Sequence, residues 1–291
     1  MFIKVVHFIL GLCAITFSSQ AQSKNESNCN LEIYIIGTIH SKHFDSEYHY
    51  SIPDIQAQIC ALKPDLVCGE ITPEAFEQIM EGYFPPEAAF LAEMALKLNY
   101  RFEPVDWRLD YATQSKAEKK YPKSVMEKVS SFGNAYFANF KESDSTSVYD
   151  NIHSEMNIAI VDSVFEKIIG ANQIAETAHG NWNERNRRIV ENGLAAAKNA
   201  RRIVFIFGSD HIPQIRRQLE VLGYKVQIPK RLFEPCNNFK VSDEVLARWR
   251  HNLENLKLIR ERKIQVTEDD YQKLINSRRI EDLELAIQKS T

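Results

Sequence analysis

The chain has little net charge, −3 over 291 residues, and no run or stripe of lysine and arginine. That argues against a nucleic-acid partner and against adsorption to an anionic membrane surface. It has no Cys-x-x-Cys pair, so a structural zinc knuckle is not expected. No low-complexity linker divides it. Beyond the first residues, no segment approaches the ~18 consecutive apolar residues of a membrane-crossing helix, so the mature chain should have no membrane span.

What is present begins with a secretory signal. Lys4 precedes an apolar run from Val5 to Phe17, broken only by His7, Gly11 and Thr16, and Ser19-Gln20-Ala21 offers a cleavage site. The alternatives are an uncleaved anchor or a buried N-terminal helix. A lipoprotein is disfavoured because Leu12 precedes Cys13 where a small residue is wanted. Cleavage after Ala21 leaves residues 22–291, enough for one large α/β domain with a sizeable core. The expected location is the periplasm or the exterior. Cys29, Cys60, Cys68 and Cys236 then permit two disulfides, in any of three connectivities. Cys60 and Cys68 read equally well as buried thiols.

Strand and helix patterns alternate. Strands are expected at Leu31–Ile36, Asp65–Glu70, Arg101–Val105, Arg202–Phe207 and Lys225–Ile228. Helices are expected over Ile52–Leu62, from Pro73 to about Tyr83, from Pro86 to about Asn99, over Pro122–Phe140 and Tyr149–Ile169, from about Asn183 to Ala200, and over Ile212–Leu222. Ser143–Ser147 reads as a loop, and the tail from Ser242 as charged amphipathic helix packing on the domain. This alternation implies βαβ units around a central, mostly parallel sheet. The continuous apolar strands "IYII" and "IVFIF" fit a sheet covered on both faces. The helical stretch at about 107–183 reads as an insertion over the strand carboxyl ends.

Two segments share a layout: "LEIYIIGTIH", residues 31–40, and "RIVFIFGSDH", residues 202–211. Each is a buried strand followed by Gly, two residues and His. Glycine is expected to turn the chain as it leaves the strand, so His40 and His211 fall just past strand carboxyl ends, where parallel sheets bind ligands. Glu70 and Asp106 end two further strands. Singly, each has a plainer explanation: a loop or capping histidine, a cap for the helix near Pro73, or a partner for Arg101 or Arg108. Together they describe a site. Two imidazoles and a carboxylate can hold a divalent ion with one position open to water. Without an ion, one histidine oriented by a carboxylate can act as general base. Arg185 or Asn186, in "NERNRRIV", could reach the same crevice and stabilise an oxyanion. Arg188, one turn on, would share that face, and Arg187 would lie nearly opposite. His43 and His49 read as exposed loop residues, and His153, His179 and His251 have no evident partner.

"GTIH", the Glu70 that closes the second strand, "PVDWR", "NERNRRIV" and "GSDHIPQIRRQLEVLGYKV", in this order, resemble the TraB/TIKI family and its superfamily with erythromycin-esterase-like and ChaN-like proteins. The resemblance runs from about Leu31 to Ile228. It implies a parallel-sheet α/β fold. Described activities in that superfamily are metal-dependent proteolysis, other hydrolysis and haem-iron binding. Carried over, His40, Glu70, Arg185 and His211 are the matching catalytic positions, and His40, Glu70 and His211 the metal ligands, for a divalent ion of the Mn, Co or Zn class. Where the family often has a Met after the Arg-Asn pair, this chain has Arg188-Ile189-Val190.

The expected activity is therefore hydrolysis of an amide, peptide or ester bond in a peptide or small-molecule substrate, assisted by a divalent metal. The rival readings are a haem or metal-ion carrier without turnover, a metal-free esterase-like hydrolase using a histidine base, and a non-catalytic interaction module. The intact set of His40, Glu70, Arg185 and His211 disfavours the last.

Overall fold

A computed structural model describes residues 31–140 and 147–291. The expected signal peptide at 1–21, Cys29 and most of the loop expected at Ser143–Ser147 lie outside the described residues. The compact unit from Glu32 to Thr291 is built on five parallel strands.

The strands are β1 (Glu32–Thr38), β2 (Leu66–Gly69), β3 (Arg101–Pro104), β4 (Arg202–Gly208) and β5 (Val226–Gln227), in the sheet order β3-β2-β4-β1-β5. Helix α1 (Ile52–Leu62) joins β1 to β2, and α2 (Pro86–Leu98) joins β2 to β3. Between β3 and β4 come α3 (Tyr111–Glu118), α4 (Lys123–Phe140), α5 (Val148–Ile152), α6 (Glu155–Ser163), α7 (Gln173–Ala178) and α8 (Trp182–Ala196). Helix α9 (Ile212–Val221) joins β4 to β5, and α10 (Asp243–Arg260), α11 (Glu268–Ile275) and α12 (Arg279–Ser290) form the tail. The expected fold class, a parallel sheet flanked by helices, is what the chain adopts.

The apolar strands are central for the reason their composition suggests. Ile33, Ile35, Ile36, Ile203, Val204 and Phe205 have almost no exposed surface, as expected for strands covered on both faces. Register then does the positioning. Thr38 lies opposite Gly208, and Gly69 opposite both Ile206 and Pro104. Because every strand runs the same way, the residues that follow β1, β2, β3 and β4 emerge along one edge.

Several local expectations are corrected. The helix expected from Pro73 to Tyr83 is a series of turns with only a short 3-10 segment at Glu81–Tyr83. Glu77 there is left-handed (φ 57°), and its N–H donates to the buried carboxylate of Glu81, which also holds Arg248 and Asn252 of α10. Tertiary bonds to one buried acid outweigh local helix propensity. The helix expected over Tyr149–Ile169 breaks at Ser154, whose side chain caps α6 by accepting from the Asn157 N–H, and ends in a π-helical turn at Val164–Ile169. The tail is more than a solvated layer. Trp249, Leu256 and Ile259 are fully buried, in one core cluster with Phe44, Phe90 and Val204, and the Trp249 indole N–H donates to the Pro86 carbonyl. Cys60, Cys68 and Cys236 are free thiols, so no disulfide forms among the described residues. No helix of the described residues is long and apolar enough to cross a membrane.

Gly193 shows how closely α8 lies on the sheet: a Cβ there would sit 2.4 Å from the Phe205 ring. Glycine to alanine in a helix interior ordinarily stabilises by up to about 1 kcal/mol. Here overpacking reverses the sign, and we expect Gly193→Ala to destabilise by about 1–3 kcal/mol, measured by urea unfolding.

Candidate active site

The two Gly-x-x-His segments reach the same edge by different backbones. Neither glycine makes the turn; Gly37 and Gly208 are both still in strands. After β1 the chain turns at His40 itself, which takes the left-handed conformation (φ 53°) that only a minority of non-glycine residues adopt. After β4 it turns through a 3-10 segment, Ser209–His211, that leads directly into α9. The glycines are needed for close approach. A Cβ on Gly208 would lie 2.6 Å from His40 Nε2, and one on Gly37 would lie 2.7 Å from the Ile212 side chain.

His40, Glu70, Arg185 and His211 line one cavity of about 370 Å³. His40 Nε2 is 3.9 Å from Glu70 Oε2, and His211 Nε2 is 4.0 Å from Glu70 Oε1. Arg185 Nη2 donates to Glu70 Oε1 at 2.9 Å. The same guanidinium grips Asp106 through Nε and Nη2, at 2.8 and 2.9 Å. Arg108 repeats the pattern, donating from Nε to Asp106 and from Nη2 to Glu70. Two buried carboxylates and two guanidiniums thus alternate, and the Gly208 N–H adds a donor to Glu70 Oε2 at 2.7 Å. Asp106, at the end of the third strand, belongs to this cluster through Arg185 and Arg108; Arg101 instead pairs with Glu103. Arg187 and Arg188 are outside it. Arg187 bonds Glu184 and Glu191, and Arg188 bonds Glu184 and lies over the Trp107 ring.

The strand-end residues alone leave out Glu87. It lies in the first turn of α2, almost fully buried, and its Oε1 is 2.7 Å from His40 Nδ1. Its only sequence signal is a proline-led helix start, where an acid is favoured by the helix dipole. Arg279, from the start of α12, also lines the cavity. Nothing in local sequence links it to residues more than two hundred positions earlier. His43, expected to be exposed, is buried. Its Nδ1 meets the Tyr50 carbonyl and its Nε2 accepts from the Ile39 N–H, so it pins the loop that aims His40. His153 has a partner after all: its Nε2 accepts from the Gly37 N–H.

Environment sets the two site histidines apart. At His40, burial favours the neutral ring, but Glu87 and then Glu70 outweigh it and raise its pKa above 6.5. At His211, burial and then the Arg185 charge push the pKa well below 6.5. The side-chain oxygen of Asn186 accepts from His211 Nδ1–H at 2.7 Å, which leaves the Nε2 lone pair toward Glu70. Burial raises the Glu70 pKa, but His40, Arg185, His211 and Arg108 together hold it well below the usual carboxylate value. Glu87, resisted by burial but favoured by His40, is lowered to about 2.

The expected ligands His40, Glu70 and His211 converge on one cavity, at separations somewhat wider than those of a closed metal shell. A tetrahedral ion with ligands near 2.1 Å holds ligand atoms ~3.4 Å apart, whereas each histidine stands 3.9–4.0 Å from Glu70. Glu70 Oε1 already accepts from two guanidiniums, whose charge opposes a nearby cation. Among the described residues no group of three His, Cys, Asp or Glu is placed to hold an ion. The site also offers a carboxylate-oriented imidazole and a neutral imidazole, each about 4 Å from Glu70 in the same cavity. No family model, curated protein or solved structure matches the chain.

The His40–Glu87 bond generates a titration test. The ion pair exists between the lowered pKa of Glu87 and the raised pKa of His40. In Glu87→Gln the largest raising contribution is gone and burial remains, so the His40 pKa should drop below 6.5. NMR titration of the His40 ring protons reads this directly; an unchanged midpoint would contradict the assignment.

Proposed function

We propose that this chain is an exported hydrolase of ester or amide bonds, in which His40, oriented by Glu87, activates water. The observation that carries the reading is the buried Glu87 carboxylate on His40 Nδ1, with the opposite ring nitrogen facing Glu70 in the cavity. A carboxylate on one imidazole nitrogen fixes the tautomer and strengthens the other as a base. His40 Nε2 takes a proton from water as the water oxygen bonds to the substrate carbonyl carbon. The bond to the leaving group then breaks, and the leaving oxygen or nitrogen receives that proton. His211, neutral and held by Asn186, accepts a hydrogen bond from the same water or from the leaving group. Arg108, more open to the cavity than Arg185, stabilises charge on the carbonyl oxygen. Arg185 keeps Glu70 and Asp106 in place. The resemblance of the motifs, in their order, to those of TraB/TIKI proteins and the signal-like residues 1–21 support this reading.

A metal-assisted form of the same hydrolysis is favoured by one feature. Both histidines have Nδ1 held by an acceptor and Nε2 toward Glu70, the outer-shell arrangement common around ligating histidines. Both arginines hold Glu70 Oε1, so an ion would be bound through Oε2, which accepts from the Gly208 N–H.

Activity against para-nitrophenyl esters or a fluorogenic peptide library separates the two forms. We expect His40→Ala to lower turnover by about 10²–10⁴-fold and exhaustive chelation to leave the rate unchanged. Since the base must be unprotonated, wild-type activity should rise with pH through a value above 6.5, and this limb should move to lower pH in Glu87→Gln. A rate lost on chelation and restored by one divalent ion would favour the metal-assisted form. Full activity in His40→Ala would remove the water-activation role.

A further inference from the structure

The cavity wall is not electrically even. Arg108, Arg185 and Arg279 line it, together with Lys42. Glu70 and Asp210 also line it, and the remaining carboxylates that balance the arginines stand behind them. Asp106 backs Arg108 and Arg185, Asp282 backs Arg279 through Nη1 at 3.2 Å, and neither aspartate lines the cavity. Cations held from behind by buried or half-buried acids lose little freedom when an anion arrives, so their attraction is preorganised. Arg108 and Arg185 are committed to Glu70 as well. Arg279 is not: Asp282 is its one ion-pair partner among the described residues. Its side chain is only 20% exposed, so it is held at the cavity while Nε and Nη2 carry no hydrogen bond to a described residue. Its charge also acts on His40 and opposes protonation there, which places the two groups within electrostatic reach. Ile39, Val148, Ile152 and Trp182 add apolar surface to the same lining.

We infer that Arg279 binds a carboxylate on the substrate, so that the hydrolysed ester or amide belongs to a molecule with a free carboxylate near the reacting carbonyl and an apolar portion. A guanidinium fork matches a carboxylate with two parallel hydrogen bonds. The inference rests on the hydrolase reading for the reaction, but not for the binding.

The test pairs two esters, mono-para-nitrophenyl succinate and the neutral para-nitrophenyl propionate, with calorimetric titration of succinate itself. The wild type should prefer the succinate ester in kcat/KM. In Arg279→Gln that preference should fall about 10–100-fold, mostly through KM, as expected for loss of a hydrogen bond to a charged group. Arg279→Lys should recover part of it. Any general damage to the site affects both esters alike and cancels in the ratio, and circular dichroism checks the fold. Succinate should bind the wild type and bind Arg279→Gln about 10–100-fold more weakly. If neither ester is hydrolysed, the hydrolase reading fails and the titration alone decides the role of Arg279. An unchanged ester preference in Arg279→Gln, succinate that binds both proteins equally, or succinate that does not bind the wild type at millimolar concentration overturns the inference.

Discussion

The carboxylate of Glu70 ties together three separate parts of the chain. It leaves β2, accepts a backbone N–H from Gly208 at the end of β4, and holds Arg185 of α8 and Arg108 from beyond β3. A buried carboxylate alone would protonate; His40 and the two guanidiniums keep this one ionised, and Asp106 keeps both guanidiniums in place. Each charge makes the next tolerable. Removing one partner of such a buried set typically costs about 3–5 kcal/mol, because the remaining charge is left uncompensated. The same cluster gives the cavity a fixed electrostatic floor, so the site's stability and its chemistry rest on one set of bonds.

On that floor, two histidines from near-identical motifs take different states. The difference comes from what lies behind each ring. A carboxylate behind His40 favours its protonated form, while burial and then the Arg185 guanidinium favour the neutral form of His211, whose Nδ1–H the Asn186 oxygen holds. Pairs of titratable groups driven apart in this way are a recurring basis for assigning acid and base. Aromatic packing reinforces the asymmetry. His211 lies against Trp182, which stacks in turn on Phe165, whereas His40 remains one-third exposed at the cavity.

The C-terminal helices complete both the core and the site. Trp249 of α10 anchors the tail on α2 through the Pro86 carbonyl, at the turn that carries Glu87. Arg279 of α12 then arrives at the cavity wall. A segment that looks in isolation like a charged surface helix therefore supports the residue bonded to His40 and contributes one that lines the cavity.

Much of this was determined by the sequence alone. Continuous apolar runs such as "IYII" and "IVFIF" can satisfy their burial only between two helical layers, and their alternation with helical patterns requires parallel strands. A parallel sheet puts all carboxyl ends on one edge, so the convergence of His40, Glu70, Asp106 and His211 was legible from strand ends alone, and Arg185 from its helix. The tertiary structure decided what those residues do. Glu87 meets His40 across 47 positions and Arg279 joins the cavity from the far tail, contacts that carry no local periodicity. The helix expected after Pro73 gave way to turns because the buried Glu81 draws the Glu77 N–H and Arg248 to itself. The protonation state of each histidine was equally invisible in the repeated Gly-x-x-His motif. Burial and the charges brought beside a ring set its pKa, and both come into being only when distant segments pack.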